Sequence, residues 1–210
     1  MNEKIIIGID GISYSGKTTL CNIINKTNNK MIIVDESPKF SNTKIQISNN
    51  VSSILKNAKV TLEIEKSRGK YVKEFIGKTF FLFDRTIFSF VAISYAYYEN
   101  EMVDYFNRYL EEIINGIERE EYLVPDYFVF LKIDKNELIK RIAKRKKNLP
   151  NYWLSENFNN SINNILEKIY NFYKEKNRCL TSEELMEISS EKLSKIKKEE
   201  IIVLLRRMKV

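Results

Sequence analysis

The run KIIIGIDGISYSGKTTL, residues 4–20, constrains the architecture more than any other stretch of the chain. Ile5, Ile6 and Ile7 open an apolar run that closes on Asp10. A run of this kind, without alternation, reads as a strand buried on both faces, here Lys4–Asp10. Gly11, Gly16, Lys17 and Thr18 follow in the spacing G-x-x-x-x-G-K-T. From Lys17 to Asn28, Leu20, Ile23 and Ile24 share one helical face, so a helix is expected there. In a strand–loop–helix unit of this form the loop N–H groups and the helix N-terminus converge on one point, which suits a polyphosphate. Lys17 is placed to reach the β- and γ-phosphates, and the Thr18 hydroxyl to reach Mg²⁺. The expected nucleotide-binding residues are Gly11, Ile12, Ser13, Tyr14, Ser15, Gly16, Lys17, Thr18 and Thr19. A glycine turn that merely joined strand to helix would need neither Lys17 nor Thr18.

The rest of the chain repeats the same alternation. Further buried strands are expected at Lys30–Asp35, Thr79–Asp84 and Asp126–Asp134. Helices are expected over Val51–Ile76, from about Thr86, over Glu101–Arg119, Asn136–Lys147 and Ser155–Lys176. Phe158, Ile162, Ile165, Ile169 and Phe172 form a core-facing stripe on the last of these. Ile201–Leu205 reads equally as a last strand or a helix. The pattern gives an α/β fold: a parallel β-sheet covered by helices on both faces. At 210 residues it is read as one domain, residues 1–210, with a small helical lid around 141–152. Ligands on such sheets bind at the carboxyl ends of the strands. Three of the expected strands end there in carboxylates: Asp10, Asp35 with Glu36, and Asp84.

Composition narrows the setting. A net charge of +7 fits anionic partners without choosing among them. Cys21 and Cys179 are too few for a disulfide framework and are read as reduced, which fits a cytoplasmic protein. The absence of histidine removes His-activated nucleophiles. No signal peptide is read at the start, and the most apolar stretch, Phe88–Tyr98, is serine-broken and too short for a bilayer, so no membrane association is expected.

The segment FFLFDRTIFSFVA, residues 80–92, separates the remaining possibilities. Asp84 and Arg85 sit where a buried strand meets its loop. The carboxylate suits a hydrated Mg²⁺, and the arginine offers a bidentate fork to a second anion. A helix-capping ion pair is the simpler alternative. The stretch resembles the DRY-x-x-S-x-x-A signature of thymidylate kinases, matched by Asp84, Arg85, Ser89 and Ala92, and the ERS signature of deoxynucleoside kinases. Thr86 stands in place of the tyrosine, and Ile93-Ser94 in place of the usual Tyr-Gln. In VDESPKF, Glu36 and Pro38 resemble the E-P motif of both groups. LKIDKNELIKRIAKRKKNL resembles their lid, with Arg141 and Arg145 four residues apart on one helix face. Tyr14 and Ser15 occupy the loop positions where some thymidylate kinases carry a catalytic arginine, so that charge has to come from the lid.

The resemblance implies a P-loop kinase fold, ATP and Mg²⁺ as cofactors, and a homodimer. It implies transfer of a phosphoryl group to a (deoxy)nucleoside monophosphate or a (deoxy)nucleoside. On it, Thr18 and Asp84 hold the metal, and Lys17, Arg85, Arg141 and Arg145 act on phosphates. Glu36 lies at the acceptor, as base when the acceptor is a hydroxyl. Asp35 precedes Glu36 where thymidylate kinases usually carry arginine, and this extra carboxylate favours a hydroxyl acceptor over a dianionic one. Arg68 is either an acceptor-phosphate ligand or a solvated helix residue, and Asp10 a support for the metal's water. A regulatory NTPase is the alternative of another class, although the Asn-Lys-x-Asp guanine motif is missing its aspartate at Asn25–Asn28. The spread of basic residues gives no reason to expect a stable nucleic-acid partner.

Overall fold

The computed structural model describes residues 4–28, 30–36, 40, 50–76, 80–144, 151–186 and 193–210. Strands β1 (Ile5–Asp10), β2 (Met31–Val34), β3 (Phe80–Asp84) and β4 (Tyr127–Phe130) form one sheet in the order β2-β3-β1-β4. Every pairing is parallel, and the register sets Ile9 beside Asp84 and Asp10 beside Phe130. The helices are α1 (Lys17–Thr27), α2 (Val51–Glu74), α3 (Ile87–Glu99), α4 (Phe106–Glu118), α5 (Lys135–Ala143), α6 (Glu156–Glu175), α7 (Ser182–Met186) and α8 (Lys198–Arg206).

The apolar strand runs are accounted for by burial on two faces. Ile5, Ile7 and Ile9 pack against Leu20, Cys21 and Ile24 of α1 and Leu185 of α7. Ile6 turns the other way, with Phe81, Phe83, Val34 and Val72 of α2. Phe128 joins the largest cluster, formed with α3, α4, α6 and α8. Parallel sheets need this double cover because neither face can meet water. The architecture is the P-loop kinase α/β fold expected from the sequence.

The end of β4 and the start of α4 differ from expectation, and the open reading of Ile201–Leu205 is resolved. β4 stops at Phe130 rather than Asp134, because its neighbour β1 ends at Asp10, whose carbonyl takes the last rung from the Leu131 amide (2.9 Å). Asp134 instead caps α5 through the Glu137 amide, 2.9 Å away. α4 begins at Phe106 rather than Glu101, because Glu101 lies at φ +55° and the Met102 and Val103 amides fold back on the Tyr97 carbonyl. Ile201–Leu205 belongs to a helix, α8, with Ile201, Ile202 and Leu205 buried against α4. The free edge of β4 is met instead by Cys179: the Phe128 amide donates to the Arg178 carbonyl (2.9 Å) and the Leu180 amide to the Phe128 carbonyl (3.1 Å). Of the expected lid, residues 145–150 lie outside the described residues.

Candidate active site

The loop between β1 and α1 takes a shape that only its own residues allow. Gly11 sits at φ +155°, where an added Cβ would lie 2.4 Å from the Leu131 carbonyl oxygen and 2.7 Å from Ser15 Oγ. Gly16, at φ +104°, is the residue before α1 and offers no side-chain cap. The first-turn N–H groups of α1, which as at any helix start lack intrahelical partners, are therefore not capped by a Gly16 side chain and suit an anion. Tyr14 adopts a left-handed φ of +67° without being glycine, a conformation that costs about 1–3 kcal/mol and clusters at ligand sites.

Lys17 is folded into that hollow. It is 5% exposed, and its ammonium donates to the carbonyls of Gly11 (2.9 Å) and Ile12 (2.7 Å) and to Ser15 Oγ (3.3 Å). Burial, seconded by the nearby Arg85 charge, lowers its pKa from 10.5 to about 7, and Asp84, Glu36 and Asp10 only partly resist. An anion entering the loop would restore the full charge. Beside it, Thr18 Oγ1 donates to Asp84 Oδ2 at 2.6 Å, while Asp84 Oδ1 is buried without a partner. An orphaned carboxylate oxygen next to a hydroxyl is an all-oxygen donor set that fits Mg²⁺, which takes one or two carboxylates and completes its shell with water and phosphate. The loop and this pair thus fit a nucleotide with Mg²⁺.

Asp10 has a different task from supporting a metal-bound water. Wholly buried, it accepts from the Thr86 amide (3.0 Å) and Thr86 Oγ1 (2.6 Å), and from Ser89 Oγ. Thr86 Oγ1 in turn accepts from the Phe88 amide at 3.1 Å, capping α3. This clamp ties the end of β1 to the start of α3 and so fixes the turn that carries Arg85. Ser89, the serine matched to the DRY-x-x-S pattern, serves here as a side-chain anchor on Asp10.

Arg85 occupies that turn at φ +64°, with its amide on the Ile9 carbonyl (3.0 Å). Its side chain crosses to Glu36, Nε to Oε2 at 2.8 Å, with Nη2 near Ser13 Oγ at 3.5 Å. This one guanidinium thus links the β1–α1 loop, at Ser13, to Glu36 from the turn that follows Asp84. From α5, Arg141 Nη1 donates to the Tyr14 carbonyl at 3.0 Å, and Nε pairs with Glu137 at 2.7 Å. The side chain therefore leans over the loop from above.

The structure brings together residues 11–19, Glu36, Asp84, Arg85 and Arg141. Arg145 and Pro38 lie outside the described residues. Arg68 is neither a surface residue nor open to a ligand. It is 0% exposed, and its guanidinium is taken up by Glu65 and by backbone carbonyls beneath the site. Sequence reasoning passed over Glu65 entirely. Its spacing of three from Arg68 was visible, but nothing in the α2 pattern marked that turn as interior. The clamping role of Thr86 was also missed, although a hydroxyl residue just before an apolar helix is an N-cap signal.

Comparison with known proteins agrees with this geometry. The chain matches the thymidylate kinase family over residues 9–199. A probable thymidylate kinase from Picrophilus torridus is 28% identical over 152 residues, covering 71% of this chain and 72% of the relative. Among solved structures, a deoxyadenosine kinase from M. mycoides with bound dCTP superposes with a TM-score of 0.63 at 19% identity, covering 97% of this chain and 98% of that one. The thymidylate kinase from Candida albicans gives a TM-score of 0.57 at 18% identity over 88% of each chain. At such identities the structural likeness speaks for the fold, and the family match over most of the chain for descent. The chain belongs to the thymidylate kinase family and is a P-loop nucleotide kinase.

Proposed function

We propose that this kinase moves the γ-phosphoryl group of ATP, bound with Mg²⁺, to the 5′ end of a (deoxy)nucleoside monophosphate or (deoxy)nucleoside. The observation that carries the reading is the Thr18–Asp84 contact (2.6 Å) with its orphaned Asp84 oxygen, set beside Lys17 and one guanidinium away from Glu36. A regulatory NTPase needs the first half of that arrangement and has no use for the second.

The bound metal supplies charge neutralisation on the phosphates and a fixed orientation for them. The protein supplies the rest. Gly11 to Thr19 enclose the triphosphate with backbone amides. Lys17 leaves the Gly11 and Ile12 carbonyls for phosphate oxygens. Thr18 and Asp84 would hold the metal, through the hydroxyl and the unpaired carboxylate oxygen. Arg85 bridges donor and acceptor, and Arg141, with Arg145 as its expected companion, closes from the lid side. In phosphoryl transfer this is catalysis by position and electrostatics, with little covalent work for the enzyme.

Two observations favour a hydroxyl acceptor as a second reading. Asp35 adjoins Glu36, and Arg68, the candidate cation for an acceptor phosphate, has its guanidinium committed to the protein interior. Glu36 then serves as general base, with Arg85 holding it in place. Glu36→Gln decides the acceptor class. Turnover on a nucleoside should fall at least tenfold more than on a monophosphate, whose oxygen is already anionic. Equal losses remove the base role, and no transfer by the parent enzyme to any nucleoside or monophosphate refutes the function.

No helix among the described residues is long and apolar enough to cross a membrane. The free thiols of Cys21 and Cys179 support a reducing, cytoplasmic setting, and the family resemblance supports a homodimer.

A further inference from the structure

We propose that Arg68 is a positioning residue for phosphoryl transfer, whose buried guanidinium holds the two backbone segments that aim Glu36 and Arg85 at each other. This rests on the kinase reading above.

Arg68 lies on α2 beneath the carboxyl edge of the sheet, with no exposed surface. Its Nη2 donates to the carbonyls of Val34 (2.9 Å) and Arg85 (2.9 Å), with the Asp84 carbonyl at 3.4 Å. Nη1 pairs with Glu65, which is 1% exposed, and the guanidinium carbon sits 4.3 Å from the centre of the Phe83 ring. Val34 ends β2 two residues before Glu36. Asp84 ends β3, and Arg85 follows it in the left-handed region at φ +64°. One nitrogen therefore spans the ends of both strands whose next side chains form the Glu36–Arg85 pair (2.8 Å). The carbonyl it takes from Arg85 belongs to the strained residue itself. Withdrawing that bond frees the peptide to leave φ > 0 and swings the Arg85 side chain away from Glu36 and Ser13.

Stability alone does not explain this choice of residue. A buried ion pair returns little or nothing over an apolar side chain of the same volume, because both charges are taken out of water. Burial raises the Glu65 carboxyl above its ordinary range, against the pull of Arg68. Apolar residues at both 65 and 68 would fill the space without that opposition, but they could not collect carbonyls from two strands. A substrate ligand is excluded by the same geometry: Nη1 and Nη2 are in use, and Nε is buried with no partner. What remains is registration of β2 and β3 where the chemistry sits. Misplacement by about 1 Å at such a point is enough for a loss on the order of 100-fold.

The test is made on the full chain with Arg68→Lys and Arg68→Met, each alone and combined with Glu36→Gln. Both single variants are expected to melt cooperatively and to bind a fluorescent ATP analogue within about threefold of the parent. Their kcat should fall by about 10- to 100-fold with a smaller change in acceptor KM. In the Glu36→Gln background the same substitutions should cost much less, because the group they aim is gone. Added guanidinium should restore part of the turnover of Arg68→Ala. Unchanged kcat in folded Arg68→Met, full additivity with Glu36→Gln, or a loss confined to acceptor KM would each overturn the proposal. So would failure of both single variants to fold, which would assign Arg68 to the core. If the parent enzyme phosphorylates no acceptor, the kinase reading fails separately. A crystal structure of Arg68→Met then tests the positioning alone: an unchanged Arg85 turn and Glu36 contact refute it.

Discussion

Lys17→Met in the nucleotide-free protein should do two things at once. It should abolish turnover, and it should remove a pH dependence of stability that the lysine imposes. In the folded chain the ammonium is 5% exposed, held by two carbonyls and a hydroxyl, and its pKa is lowered from 10.5 to about 7. Between those two values the unfolded chain keeps a proton that the folded chain has released. Stability therefore rises with pH across this window. Below about pH 7 both states are protonated, and the full penalty of burying the charge stands. Integrating the linkage relation with these two pKa values gives a gain of about 2 kcal/mol between about pH 7.5 and pH 9. Methionine keeps the apolar stem and carries no proton, so its stability should lack that gain. Urea unfolding of both proteins in EDTA at the two pH values reads the difference directly, since every other titrating group is common to both. Equal pH slopes would refute the reasoning: they would mean that Lys17 is not the buried, partly neutral group described here.

Gly11→Ala forces a Cβ to within 2.4 Å of the Leu131 carbonyl at φ +155°. It should cost about 1–3 kcal/mol by urea denaturation and weaken nucleotide binding in the same titration series. Asp84→Asn keeps a partner for Thr18 but removes the negative charge that would face the metal, so turnover should fall on the order of 100-fold. Equilibrium binding should show nucleotide affinity losing its Mg²⁺ dependence, and Mg²⁺ dependence that persists would move the metal elsewhere. Asp10→Ala leaves the Thr86 amide and two hydroxyls without their buried acceptor, at about 3 kcal/mol or more. A midpoint shift no larger than that of an exposed-residue control would contradict the clamp.

Most of the fold could be read from the chain because its signals are local. A strand buried on both faces has to be apolar along its length, and IIIGID, MIIV and FFLFD carry no charge before the terminal Asp10 and Asp84. The phosphate loop is likewise specified by the few residues that tolerate its backbone. What escaped reading depended on partners far away in sequence. β4 was expected to run on to Asp134, and only the end of its neighbour β1 at Asp10 stops it. Ile201, Ile202 and Leu205 fit either period, and packing on α4 settles them as a helix. Arg68 and Glu65 look like an ordinary exposed pair on a weakly patterned helix. Only the arrival of the β2 and β3 ends beneath α2 makes them interior. Asp10 could be placed at the site from the strand it ends, but it was read as a support for the metal's water beside Asp84, not as a clamp on α3. The two differ in what faces them: Thr86 and Ser89 occupy Asp10, while one Asp84 oxygen stays open.

Phosphoryl transfer itself is tested most directly by following the label from γ-labelled ATP. The parent enzyme is mixed with Mg²⁺ and a panel of ribo- and deoxyribonucleosides and their monophosphates, and the products are separated. Label on the 5′ oxygen or 5′ phosphate of at least one acceptor is the result expected of a donor loop and an acceptor carboxylate joined by Arg85. Label recovered only as inorganic phosphate, with ATP bound normally, would make the chain an NTPase and contradict the account.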